Sequence, residues 1–94
     1  MRLAPAQIGM YGWLGHRLPF AMPEGWSLAD CVREGRDFLV RIAGVDPGYD
    51  PQAWHDRLRV TNAGGYRRSN KHLGFPHRIA LALANPEWQA AVPL

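Results

Sequence analysis

Eight prolines and ten glycines are spread along the 94 residues, and they limit what this chain can build more than any other feature. Proline inside a helix removes a hydrogen bond and clashes with the preceding turn, but at the first helical position it does no harm. Asp50-Pro51 and Asn85-Pro86 therefore read as helix starts, each an N-cap side chain followed by proline at N1. Phe75-Pro76 starts a helix in the same way, with Phe75 placed to staple back onto it. The alternating run Ile79-Ala-Leu-Ala-Leu-Ala would suit a strand on its period alone. Its alanines and the proline before it favour helix.

The longest helical signal begins at Ser27, an N-cap candidate with Asp30 three residues on. Leu28, Cys31, Val32, Phe38, Leu39 and Ile42 follow helical spacing, and Gly44 stands where a C-cap glycine belongs. Gly35 lies on the same stripe, where glycine is about 1 kcal/mol worse than alanine. Its use there is the close approach of another backbone. The expected fold is all-α: a small single domain of three to four short helices, over 27–43, 51–62, 76–84 and 86–92. The expected core is Trp13, Leu14, Leu28, Val32, Phe38, Leu39, Ile42, Trp54, Leu58, Ile79, Leu83 and Trp88.

Residues 1–26 read as an irregular, aromatic-rich arm, because glycine and proline recur every few positions. The arm is nonetheless strongly apolar, so it packs on the helical domain of residues 27–94 or docks on another chain. Tyr11, Trp13 and Phe20 are its candidate anchors for a partner. Met10 offers a second start, with Met1–Gly9 as an upstream extension.

Four Trp, three Tyr and three Phe compensate part of the handicap of a small core, and with 47% hydrophobic residues they exclude intrinsic disorder. No apolar run is long enough to span a bilayer, and the glycine-broken N-terminus is a poor signal peptide. The single cysteine, Cys31, sits on an apolar helical face as a small hydrophobe. Without a disulfide framework the chain fits a reducing, cytoplasmic setting.

Charge is unevenly placed. Residues 55–78 hold six Lys/Arg and one acid, Asp56, a balance of +5; the rest hold five Lys/Arg and seven acids, a balance of −2. Such asymmetry favours an anionic partner. The candidate contact residues are Arg57, Tyr66, Arg67, Arg68, Asn70, Lys71, His72 and Arg78. An acidic protein surface is the first expectation, steered by charge and anchored by Tyr66, Arg67 or Arg68. Nucleic acid is the alternative, with the same cations on phosphates and Tyr66 and Phe75 stacking on unpaired bases. A helix-turn-helix around Gly64-Gly65 is a loose match only.

Catalysis and cofactors have little support. His72 and His77 are separated by a Gly-Phe-Pro break, no second cysteine exists, and no metal is expected. Ser27 is explained as a cap, and Ser69 has no general base beside it. Asp46-Pro-Gly-Tyr-Asp-Pro superficially resembles a calcium loop but lacks the closing Glu, so turn chemistry explains it. The expected function is non-enzymatic binding without a cofactor, as an adaptor, inhibitor or complex subunit.

Overall fold

Each cap read from the sequence forms in the computed structural model, which describes residues 3–18 and 22–92. Ser27 accepts from the Asp30 amide at 3.2 Å, and Asp30 returns the bond to the Ser27 amide at 2.9 Å, opening α2 (Leu28–Ala43). Gly44 ends α2 in the left-handed conformation at φ 73°. Asp50 caps α3 (Pro51–Thr61) through the Gln52 amide, and Asn85 caps α5 (Pro86–Ala91) through the Glu87 amide. Between them lie two 3-10 segments, Ala63–Gly65 and Arg68–Gly74, and the helix α4 (Phe75–Leu83). The described residues contain no strand.

The arm is where the fold departs from expectation. Pro5–Trp13 forms a helix, α1, so the described residues hold five α-helices. Pro5 sits at N1, where it is harmless. Gly9 and Gly12 are tolerated because they face α2 at very short range. A Cβ on Gly12 would lie 3.2 Å from both the Cys31 carbonyl oxygen and the Gly35 Cα. A Cβ on Gly35 would lie 2.4 Å from the Trp13 nitrogen and 2.6 Å from the Gly12 carbonyl carbon. Three glycines thus let two backbones touch, and that packing outweighs the poor helix propensity of Gly9 and Gly12. Gly35 has the use expected of it.

The core gathers around this crossing. Met10, Trp13, Val32, Leu39, Trp54, Leu58, Tyr66, Phe75, Ile79 and Trp88 are all buried. Trp88 donates its indole N–H to the Trp13 carbonyl at 2.8 Å, tying α5 to the end of α1. Trp54 donates to the Gly48 carbonyl at 2.9 Å. Gly48 belongs to the turn that resembled a calcium loop. There Asp46 is held by Arg36 at 2.6 Å and by the Gly48 amide at 2.9 Å, which is turn chemistry.

One expectation about burial and one about the arm's anchors are corrected. Leu83 is exposed: it continues the i, i+4 spacing of Phe75 and Ile79 but is the last residue of α4, where the buried face is closed by Ala82. Trp13 is fully buried, as its place in the expected core requires, and so is not an anchor for a partner. Met10 is buried mid-helix, and Ala4, Ala6 and Gln7 before it are buried too. Phe20 lies outside the described residues.

Candidate functional site

The basic stretch folds as one connected piece from α3 to α4. Trp54, His55 and Leu58 turn inward from α3, leaving Arg57, Arg59 and Val60 in solvent. Asn62 ends the helix at φ 52° and accepts the Arg67 amide at 2.9 Å. Gly64, also left-handed, presses so close to α1 and α2 that a Cβ would meet Ile42 at 2.8 Å and Ala6 at 3.0 Å. The chain is thereby drawn down onto the core, and Tyr66 is inserted into it.

Gln7 of α1 fixes the next two residues. Its amide is fully buried and donates to the Tyr66 carbonyl at 3.1 Å and to the Arg68 carbonyl at 2.8 Å. Its oxygen accepts the Ala4 amide at 2.9 Å. A buried polar side chain so fully bonded is a device for holding backbone. Arg67 and Arg68 consequently project from an anchored segment, both exposed. Ser69 and Asn70 then turn left-handed at φ 54° and 57°, unusual for residues other than glycine, and reverse the chain. Asn70 is exposed, Lys71 is half-buried, His72 is buried, and Leu73 is 70% exposed.

Tyr66 and His72 therefore cannot touch a partner in this fold. The Tyr66 ring stacks on Phe75 with centroids 5.3 Å apart and planes 15° apart, and Phe75 meets Tyr11 at 5.0 Å. The aromatics expected to stack on bases are instead spent on the core. The physical reason is size: a chain this short needs their area inside. Tyr11 is half-buried in the same stack.

Beneath the loop, Tyr66 Oη lies 2.6 Å from His55 Nδ1. Burial pushes the phenol pKa far up, with the Asp56 charge and Tyr11 adding to it, so Tyr66 stays neutral and can donate. Burial also holds the His55 imidazole below its ordinary value of 6.5. Asp56 opposes that shift, while Arg59 and His72 reinforce it. With Tyr66 as donor, Nδ1 of neutral His55 accepts the hydrogen bond and the ring hydrogen lies on Nε2. Because the folded state favours neutral His55, its contribution to stability is complete above about pH 6.5 and is lost as the pH falls towards the depressed folded value. Urea melts should therefore show a lower midpoint at pH 5 than at pH 7.5. His55→Gln should flatten that dependence; an equally steep one would remove His55 as its source.

Ion pairing differs between the two parts of the chain. Arg33 pairs with Asp30 at 2.9 Å, and Arg36 with Asp46 at 2.6 Å, so these two acids are used locally. Asp56 accepts from Gln52 at 3.0 Å. Arg57, Arg59, Arg67 and Arg68 form no ion pair among the described residues. Arg78 leaves this group: its guanidinium lies over the Tyr11 ring, 5.0 Å from the centroid.

Sequence reading missed three contributors. Val60, 76% exposed, and Leu73 interrupt basic runs off any buried stripe, which is a readable signal for an apolar surface residue. Gln7 at the third position of α1 bonds back to the Ala4 amide, but alanine at the N-cap leaves no capping-box signature in the sequence. Among the described residues, no group of three His, Cys, Asp or Glu could hold a metal ion, and no helix is long and apolar enough to cross a membrane. No protein family, curated protein or solved structure matches this chain.

Proposed function

We propose that this protein is a non-enzymatic binding module, an adaptor, inhibitor or subunit, that docks on an acidic protein surface through the exposed side of residues 57–73. One observation carries the reading: the aromatics of the basic stretch turn inward, while Val60 and Leu73 are exposed in the same stretch of sequence as four arginines without acidic partners among the described residues. Exposed apolar side chains and arginines within one segment suit a protein interface, where arginine is enriched and central apolar contacts exclude water. Charge would steer the encounter and the two aliphatics would bury on contact. Gln7 and the Tyr66–His55 pair preorganise the loop, lowering the ordering penalty of binding.

Nucleic acid remains the competing partner, favoured by the concentration of positive charge and by exposed Asn70 beside it. With Tyr66 and Phe75 buried, that reading retains phosphate contacts but loses base stacking. The two are separated by titrating labelled mixed-sequence single-stranded DNA from 50 to 300 mM salt. Partner capture should run in parallel on wild type, Arg67→Glu/Arg68→Glu and Leu73→Asp. The proposal expects a protein retained by wild type and lost from both variants, at least tenfold, with circular dichroism unchanged. Steeply salt-dependent DNA binding that survives Leu73→Asp would replace the protein reading with the nucleic-acid one. Normal partner binding by the double variant would defeat both.

A further inference from the structure

A second site lies where α1 ends and α4 approaches α5. Leu14, Leu81 and Ala82 form apolar walls there, and His16, Arg78 and Asn85 supply polar groups, around a pocket of 160 Å³. We propose that this pocket binds a small carboxylate carried on a short aliphatic body.

Tyr11 organises the pocket's cationic side. The Arg78 guanidinium sits over its ring at 5.0 Å, and the His16 ring lies 5.2 Å from the same ring. The aromatic face fixes Arg78 without using its N–H donors. Those donors meet no acceptor among the described residues, and no acid lines the pocket. A half-buried guanidinium is thus held beside an imidazole with no counter-charge between them. Such a fork matches the two oxygens of a carboxylate. His16 registers the same field: burial lowers its pKa, and the Arg78 charge lowers it further. A bound anion would offset that charge and favour imidazolium, so binding and protonation of His16 assist each other.

The walls decide between anions. Leu14 and Ala82 are buried and Leu81 forms an exposed rim, so one side of the cavity offers no hydrogen bond. An aliphatic tail fits there, while bare phosphate would leave oxygens against hydrocarbon. At roughly 30 Å³ per water-sized group, the space suits an acid of about five heavy atoms. The carboxylate can come from a free short-chain acid or from the terminus of a peptide ending in a small aliphatic residue.

The test follows the His16 ring by NMR at constant ionic strength. Sodium butyrate should give a saturable shift and move the His16 titration to higher pH, with affinity rising as the pH falls from 8 to 5. Arg78→Gln should weaken butyrate at least tenfold, and in the absence of ligand it should itself raise the His16 titration, which reports a folded pocket. Arg78→Lys should recover part of the affinity. A valine-terminated peptide that binds more tightly than butyrate, and not when amidated, identifies a chain terminus as the source. A response to butyrate no larger than that to chloride would overturn the site. Inorganic phosphate binding as tightly as butyrate would overturn the assignment of the aliphatic walls.

Discussion

Gly35→Ala should destabilise the protein by about 2–3 kcal/mol and lower its Tm by about 10–20 °C, although alanine is the better helix former. The new methyl group would meet backbone on three counts, the Trp13 nitrogen at 2.4 Å, the Gly12 carbon at 2.6 Å and the Gly9 oxygen at 2.8 Å. Backbone cannot step aside as a side-chain tip can, so α1 must move away from α2. That movement would carry Met10 and Trp13 out of their places in the core. The propensity gain of about 1 kcal/mol offsets only part of the loss. Gly74→Ala is the matched control. Nothing lies within 4 Å of a Cβ there, and its φ of −85° suits any residue, so it should be neutral or gain up to about 1 kcal/mol. Thermal melts of the two variants suffice. Equal stability would mean that the helices do not cross on glycine.

Gln7→Leu should be the most damaging single change of a polar residue, at about 2–4 kcal/mol. The shape is nearly kept, so little of the loss is packing. It comes from the Tyr66 carbonyl, the Arg68 carbonyl and the Ala4 amide, which lose their common partner together. Gln7→Glu discriminates the two ends of the amide. Its carboxylate can still accept from Ala4, but it sets negative oxygen against two carbonyls. Both variants should speed amide hydrogen exchange at residues 66–69 by more than tenfold, while α5, remote from Gln7, changes far less. Uniform acceleration would show that Gln7 supports the whole fold rather than the loop carrying Arg67 and Arg68.

The parts of the fold that were legible from sequence are those with local causes. Ser27, Asp50 and Asn85 cap their helices by bonding amides two or three residues away, so the signal and its effect share a short window. The all-α class and the bounds of α2 to α5 followed from these residues and the prolines beside them. α1 was not legible, because Gly9 and Gly12 act as helix breakers unless a partner glycine is known to sit opposite. That partner, Gly35, was recognised as a point of close approach, but the approaching backbone was not seen as a helix. The candidate surface shows the same boundary. Its arginines could be counted from composition, whereas the direction of Tyr66 depends on His55, Phe75 and Gln7, three positions scattered from 7 to 75. Leu83 misled because it keeps the helical spacing of Phe75 and Ile79, and periodicity alone does not show that α4 stops there with the side chain exposed.

The bond between the Trp88 indole and the Trp13 carbonyl joins residues 75 positions apart, and it has a consequence for how the chain is made. On the ribosome the first helix emerges long before the last. At about 5–20 residues per second, α1 waits on the order of ten seconds for α5 to be synthesised. During that interval α2 can cover the glycine face of α1, but Trp13 has no Trp88 and Gln7 has no loop to hold. Part of the buried face of α1 therefore stays uncovered until the helix that closes it has been made.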